Sequence, residues 1–301
     1  MKMKKIIITI CIAALACLTL TACDSGDYKK AIKFMEEGDY QSAIGLLEGI
    51  PDYQDSADQL ALCQGMVEAI ESLTAKNAEL DAAIDAANAL VQDERKALDE
   101  NLRMELETAA TTAKAEKVEL SEEPVVLEEL AATIEKYNAA DYTAVLEDLT
   151  TKTTALDESI RKFELVNQPT EAYVIKCLEG IPNITGISAV TEDNDPNGNM
   201  NKEGGYTAQV FFDSDLVDAM YKVGGSIIQN GTEGGGSIEV YTTEEYATKR
   251  AEYLSAFDGS ILSSGTHKVV GTVVVRVSDQ MTATEQTTME TNIIDALTAL
   301  E

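Results

Sequence analysis

The chain has 301 residues, of which 53 are acidic and 23 are basic, giving a formal net charge of −30. Because contacts to a phosphate backbone require clustered lysine and arginine, this balance argues against nucleic acid as a partner. The single histidine leaves one base for a histidine-activated nucleophile, and it argues against a histidine-rich zinc site.

The first 22 residues have the order of a secretory signal. Three lysines precede an apolar run of about fifteen residues, 6–20, which is too short for a comfortable membrane span. The run ends in Leu20-Thr21-Ala22-Cys23, with a leucine three residues before the cysteine and small residues between. This pattern resembles the lipobox of bacterial lipoproteins, in which the cysteine sulfur receives a diacylglyceryl group before cleavage.

The resemblance implies that residues 1–22 are removed and that Cys23 carries the lipid. The protein is then expected on the outer face of the cell membrane, bound to it through a diacylglyceryl-cysteine, because two acyl chains anchor firmly where one does not. Cleavage removes three lysines and no acid, so the net charge falls to about −33. The alternative is a signal cut elsewhere, with Cys23 incidental.

Residues 23–67 predict a short helical segment. The stretch 38–44, Gly-Asp-Tyr-Gln-Ser-Ala-Ile, resembles the second helix of a tetratricopeptide repeat, and 52–56, Asp-Tyr-Gln-Asp-Ser, resembles the start of the next helix in tetratricopeptide-like modules of Gram-positive envelope proteins. Such units need stacked neighbours to bury their apolar faces. One and a half repeats therefore favour a cap or spacer over a peptide-binding surface.

Residues 68–166 predict a helical spacer, because apolar residues recur at intervals of three, four or seven. Asp99 is expected to cap a new helix and Pro124 to end it. The segments 97–99, 106–109 and 130–137 resemble three-helix spacer modules found in various architectures of Gram-positive surface proteins. A bundle of this kind and a coiled-coil hairpin of unbroken helices both fit the pattern.

Residues 167–301 predict an α+β domain, so the whole chain is expected to be α+β with an all-helical N-terminal region. We expect about four strands in a mainly antiparallel or mixed sheet backed by helices. Gly234-Gly235-Gly236 is predicted to be a flexible turn, since it lacks the lysine of a phosphate-binding loop. The predicted strands are 184–191, 206–212, 238–241 and 268–277, and the predicted helices are 170–178, 243–257 and one that begins at Thr284.

Four stretches of this region, 189–199, 204–208, 238–241 and 269–276, carry a further resemblance. They are similar to an uncharacterised domain that recurs at the C-terminus of Gram-positive surface lipoproteins. The likeness extends over 170–301 and implies an extracellular location and an architecture. It implies no reaction.

One loop has the spacing of a metal site. Its candidate ligands alternate along the chain, and a glycine at 198 allows a sharp turn: Asp193, Asp195, Asn197 and Asn199. An EF-hand loop would place a bidentate glutamate where this chain has Gly204. The loop is therefore either a calcium site or an Asx-rich turn without an ion, and no other cofactor is expected.

Several tyrosines are candidates for ligand contact, because amphipathic rings are favoured at interfaces. They are Tyr206, Tyr241, Tyr246 and, further along, Tyr253. A surface for a sugar or peptide is one interpretation. Core packing with the hydroxyl at the rim is the other.

The remaining reactive side chains are few. His267 can act as a base with Asp258 or Glu239, or can be structural. Cys63 and Cys177 lie in apolar helical patterns, which favours buried free thiols over a disulfide.

These observations lead us to expect a non-catalytic, membrane-anchored lipoprotein of the cell envelope. Its helical spacer presents a C-terminal domain that binds a protein or a cell-wall glycan. One alternative is an envelope enzyme, such as a calcium-dependent hydrolase that uses acids including Asp193, Asp195 and Glu203. Another is an accessory subunit of an envelope transport or secretion complex.

Overall fold

The computed structural model describes residues 24–259 and 265–300, so the proposed signal segment and Cys23 lie outside the described residues. Within those ranges, no helix combines the length and the apolar character needed to cross a membrane. The helices are α1 (Asp24–Glu36), α2 (Tyr40–Leu47), α3 (Ser56–Val91), α4 (Asn101–Glu116), α5 (Leu130–Asn138), α6 (Thr143–Val166), α7 (Glu171–Leu178), α8 (Ile227–Asn230), α9 (Glu244–Ser255) and α10 (Ala283–Leu297). The strands are β1 (Ile184–Ala189), β2 (Tyr206–Ser214), β3 (Gly235–Tyr241), β4 (Thr266–Val270) and β5 (Val273–Val277).

The chain is α+β, as expected, and it forms two compact units that do not follow chain order. The first contains the described residues up to Leu80 together with Glu116–Tyr142. The second contains Asp81–Ala115 and the described residues from Thr143 onward. The domain limits expected from composition, at 67 and 166, stay predictions.

The first unit begins with the helical pair that the sequence predicts. Gly38 adopts a left-handed conformation, with φ of 77°, between α1 and α2. The Asp39 side chain caps α2 by accepting from the backbone amide of Ser42 at 3.1 Å. Met35 and Leu47 are completely buried in this unit, so the pair contributes to a core.

A buried tyrosine fixes the irregular segment after α4 in the same unit. Tyr142 donates to Asn77 Oδ1 at 2.8 Å and accepts from the amide of Val118 at 2.8 Å. Asn77 Nδ2 donates to the carbonyl of Val118 at 2.9 Å. These bonds satisfy polar groups that would otherwise be buried without partners.

The helices of the spacer are interrupted, so an unbroken hairpin is wrong. In the second unit Arg103 Nη1 donates to the carbonyls of Leu90, Val91 and Asp93 at 3.1, 3.0 and 2.9 Å, which closes the end of α3. Asp99 accepts from the amide of Asn101, the first residue of α4, at 3.0 Å. α4 ends at Glu116, well before Pro124, so the proline does not end that helix.

Among the described residues, the sheet has five antiparallel strands in the order β1-β2-β3-β5-β4, one more than expected. The segment predicted as a single strand, 268–277, folds back on itself at Gly271 and Thr272. Gly271 has a φ of 57°, and a Cβ there would lie 2.6 Å from the carbonyl oxygen of Val166. Glycine therefore permits the tight hairpin.

The glycine run 234–236 is not a flexible turn. Gly235 and Gly236 lie in β3 and are buried. A Cβ at Gly236 would lie 2.3 Å from Cζ of Phe212 on the neighbouring strand. Glycine leaves room for that ring to lie across β3, which the sequence pattern alone did not indicate.

The two faces of the sheet are covered by different helices. One face packs against α7 and α10 in a core of aliphatic side chains and Phe212. The other lies under α9, which contributes Ala247 and Leu254 to a smaller cluster with Tyr206, Tyr241 and Val274. A capping box between Thr282 and Glu285 starts α10.

The end of α6 is bonded to the tip of the β4–β5 hairpin. The carbonyl of Val166 accepts from the amide of Thr272 at 3.0 Å and from its hydroxyl at 3.1 Å. That hydroxyl also accepts from the amide of Gln168 at 2.7 Å. The helix and the sheet are therefore continuous parts of the second unit.

Candidate functional site

A cleft of about 270 Å³ opens in the second unit between the start of α9, the ends of β2 and β3, and the loop 197–205. We call it the tyrosine cleft. It brings together all three tyrosines of the main binding prediction and two of the four predicted metal ligands. It is lined by Asn197, Asn199, Gly204, Gly205, Tyr206, Tyr241, Tyr246, Lys249 and Arg250.

Strand pairing and a helix cap position the tyrosines. Tyr206 and Tyr241 face each other in the β2–β3 register, and their rings meet edge to face with centroids 6.4 Å apart. Both are nearly buried, at 2% and 3% exposure. Tyr246 is half-buried in the first turn of α9, where the Thr243 side chain accepts from its amide at 3.2 Å.

Asp195 holds the loop beside the cleft. Its carboxylate accepts from the hydroxyl of Tyr206, from the amide of Asn197 at 2.9 Å and from the amide of Met200 at 2.8 Å. Burial opposes ionisation of Asp195, but these hydrogen bonds outweigh it and lower its pKa to about 2. The loop is therefore organised around an ionised carboxylate.

The same bonds bear on the predicted calcium site. Both oxygens of Asp195 already accept hydrogen bonds, Asn197 Nδ2 donates to Tyr206 at 3.3 Å, and Asp193 is exposed. In the described ranges, no three histidine, cysteine, aspartate or glutamate side chains cluster as a metal centre would require. Calcium binding at this loop stays a prediction.

A fully buried glutamate lies on the α9 side of the sheet, next to the cleft. Glu239 accepts from Arg250 at 2.8 and 3.0 Å, from Arg276 at 2.9 Å and from the Tyr241 hydroxyl at 2.8 Å. Burial alone raises the pKa of Glu239, but the hydrogen bonds and charges of the two arginines lower it below its ordinary value. Glu239 is therefore ionised at neutral pH.

These interactions limit the chemistry of the cleft. Burial, together with the neighbouring carboxylates, raises the pKa of Tyr206 and of Tyr241 above the ordinary value. The two tyrosines thus stay protonated while Asp195 and Glu239 stay ionised. None of the four is suited to proton transfer near neutral pH, whereas all four hold the cleft in a fixed shape.

His267 lies elsewhere, at the far end of α9. Its Nε2 is 2.8 Å from the Ser255 hydroxyl, and its Nδ1 is 4.0 Å from Asp258 Oδ1. Ser255 is the last residue of α9, where helix carbonyls disfavour the developing negative charge of an acyl-transfer intermediate. Of the two carboxylates named from the sequence, Asp258 is the one near the histidine, and Glu239 is bonded to the arginines instead.

The two cysteines among the described residues, Cys63 and Cys177, are free thiols. Cys63 is buried, and burial raises its pKa to about 11, while Cys177 is half-buried. A thiol with a raised pKa is a poor nucleophile at neutral pH.

Comparison with protein-family models, with curated proteins and with solved structures finds no match to this chain. The geometry of the second unit is therefore the main guide to function.

The sequence interpretation missed the cationic residues of this region, Lys249, Arg250 and Arg276. A signal was present for Arg276, because it is the only charge in a strand of valines, Val273–Val277. A charge in such a strand is buried only if it is paired. The partner lies 37 residues away in sequence, so spacing alone did not identify it.

Proposed function

We propose that the protein is a non-catalytic, lipid-anchored protein of the cell envelope whose C-terminal domain binds a ligand in the tyrosine cleft. One observation carries the binding part: Tyr206, Tyr241 and Tyr246, each chosen from sequence, line the same cleft with two loop asparagines. The anchoring part is supported by the lipobox ending at Cys23.

A cell-wall glycan suits the cleft better than a protein segment does. Sugars combine apolar ring faces with many hydroxyls, and the cleft offers a half-buried tyrosine ring beside amide and cationic donors. Lys249 Nζ lies 5.7 Å from the Tyr246 ring centroid, which places a cation next to the ring. A cleft of about 270 Å³ accommodates one or two sugar rings rather than a folded partner.

The binding proposal is tested with the chain from Asp24 onward and the trisaccharide of N-acetylglucosamine as probe. Calorimetric titration of the wild type should show binding, and Tyr246→Ala should weaken it about tenfold, since one stacking ring contributes about 1–1.5 kcal/mol. Tyr221→Ala is the matched control, because Tyr221 is 39% exposed and is not among the residues lining the cleft.

Equal affinity in the wild type and Tyr246→Ala would show that the sugar does not occupy the cleft. Absence of binding to this probe and to solubilised cell-wall fragments, with turnover of either, would replace the binding role with an enzymatic one.

The anchoring proposal is tested in cells. Wild-type protein should fractionate with membranes and incorporate labelled palmitate, and Cys23→Ser should lose both properties, because the thioether to the lipid is not formed. Ala22→Gly keeps a small residue at the cleavage site and should behave like the wild type. Unchanged fractionation and labelling in Cys23→Ser would overturn the anchor.

A further inference from the structure

The sequence contains two Asn-Gly pairs, Asn197-Gly198 and Asn230-Gly231. This dipeptide is chemically labile, because glycine has no Cβ to keep the asparagine Cγ away from the backbone nitrogen that follows it. The two reacting atoms belong to adjacent residues, so their reaction is intramolecular and needs no enzyme. The pairs have the same chemistry, and the structure around each one decides whether it reacts.

The side chain of Asn230 is held through both of its polar atoms. Its Nδ2 donates to the carboxylate of Asp213 at 3.2 and 3.1 Å, and its Oδ1 accepts from the amide of Gly224 at 3.0 Å. Asn230 is also the last residue of α8, and its own amide donates to the carbonyl of Ser226 at 2.9 Å. Rotation of this side chain toward the next residue therefore requires hydrogen bonds to be broken, one of them to a charged group.

The nitrogen that would attack Asn230 is engaged as well. The amide of Gly231 donates to the carbonyls of Ile227 and Ile228 at the C-terminal end of α8. These bonds must also be released before the nitrogen can reach Asn230 Cγ. The fold therefore protects the pair Asn230-Gly231.

Asn197-Gly198 is held much less firmly. Asn197 is exposed and lies in a bend between β1 and β2, and its Nδ2 makes one long contact, to the Tyr206 hydroxyl at 3.3 Å. Asp195 accepts from the amides of Asn197 and Met200, on either side of Gly198. The amide of Gly198 itself donates to none of the described residues. Both reacting groups are therefore accessible to each other.

We propose that Asn197, which lines the tyrosine cleft and is left unprotected by the fold, is a site of spontaneous deamidation. The Gly198 nitrogen attacks Asn197 Cγ, so that a bond forms between these two atoms and the bond from Cγ to Nδ2 breaks. The proton of the Gly198 amide leaves with Nδ2 as ammonia. Water then opens the resulting succinimide at either carbonyl, which gives aspartate or isoaspartate at this position without any oxidant or reductant.

The aspartate product does not fit the contacts that Asn197 makes. The Tyr206 hydroxyl has a single proton, which it donates to Asp195. Asn197 Nδ2 donates to the oxygen of that hydroxyl, whereas a carboxylate oxygen in the same place has no proton to donate. The new carboxylate also adds a negative charge next to Asp195, so the two anions repel each other.

The isoaspartate product changes the backbone of the loop 197–205. Its main chain runs through Cγ, which inserts an extra carbon atom between residues 197 and 198. The amides that bond Asp195, those of Asn197 and Met200, lie on opposite sides of this insertion. Deamidation therefore alters the charge and the shape of one wall of the tyrosine cleft, whether or not the cleft binds a sugar.

The chemical step is tested by comparing the two pairs in one sample. The chain from Asp24 onward is kept at neutral pH and physiological temperature, and peptides that contain each pair are followed by mass spectrometry. Asn197 should convert about tenfold faster than Asn230, which must first release its hydrogen bonds. Equal rates in the folded chain would overturn the proposal. So would aspartate without isoaspartate, since a succinimide yields both.

Unfolding the chain provides the control. In concentrated urea the hydrogen bonds of both sites are lost, so the two asparagines should then react at similar rates. If Asn197 still reacted much faster in urea, the flanking sequence rather than the fold would be the cause, and the proposal would be wrong.

Two substitutions test the effect on the loop. Asn197→Asp reproduces the charge of one product, and Asn197→Ala removes the amide without adding a charge. The aspartate variant should melt at a lower temperature than the alanine variant in dilute buffer, and added salt should reduce the difference, because it screens the repulsion from Asp195. Equal melting temperatures of the two variants at low salt would overturn the proposed effect on the loop.

Discussion

The two faces of the five-stranded sheet are made by alternate residues of the same strands, yet the side chains on the two faces differ in polarity. Toward α7 and α10 the strands present Val210, Ile238 and Val275, all completely buried in one apolar core. Toward α9 they present Gln209, Glu239 and Arg276, also buried but polar. The first face provides stability, whereas burying the polar groups of the second has a cost in stability.

The largest expected effect is on the apolar face. Phe212→Ala removes a completely buried ring from the core and should lower the free energy of unfolding by about 3–5 kcal/mol, because a cavity remains. Urea denaturation monitored by circular dichroism measures it. Lys268→Ala, an exposed position on β4, should change stability by less than about 0.5 kcal/mol. A loss below about 1 kcal/mol in Phe212→Ala would mean that this face is not the main core.

A smaller effect of opposite sign is expected on the polar face. Gln209→Leu removes two buried polar atoms that lack partners in the described structure, so it should raise the free energy of unfolding by about 1–2 kcal/mol. The adjacent Val210→Thr buries a hydroxyl in the apolar core and should lower it by a similar amount. If both variants lower the free energy of unfolding, Gln209 stabilises the fold, and the two faces do not differ in the way described.

The smallest effect is a dependence on pH. The pKa of Glu239 is lowered in the folded protein, so its charge stabilises the fold fully above the ordinary value of 4.5 and loses that effect as pH falls through the folded pKa. Glu239→Gln lacks this contribution. The difference in melting temperature between wild type and variant should therefore be constant from pH 7 to pH 5 and shrink in more acidic solution. A melting-temperature difference that grows as the pH falls would contradict the lowered pKa of Glu239.

Local signals in the sequence predicted much of the sheet domain. The alternation of apolar and polar residues predicted β1 and β2. Thr170 and Thr243 predicted the starts of α7 and α9, and each side chain accepts a hydrogen bond from the backbone amide three residues further along. The errors came from tertiary contacts. Gly271 divides one β-branched run because Val166 lies against it, and Gly236 is a strand residue because the Phe212 ring covers it.

The site was predictable only in part. Tyr206 and Tyr241 were identifiable as amphipathic rings. They face each other only because β2 and β3 pair in a register that joins residues 35 positions apart in sequence. The two arginine partners of Glu239 come from α9 and β5, and no local spacing links them to it. The helix breaks in 92–100 depend likewise on a side chain from the next helix, Arg103.

The bond between Val166 and Thr272 has a mechanical consequence. α6 is 24 residues long, a rod of about 36 Å, and its last carbonyl is tied to a hairpin tip rather than to a loose tether. If the sheet binds a ligand as proposed, a force applied to that ligand would therefore pass directly to α6. Because a helix is stiff along its axis, α6 would transmit both the size and the direction of that force.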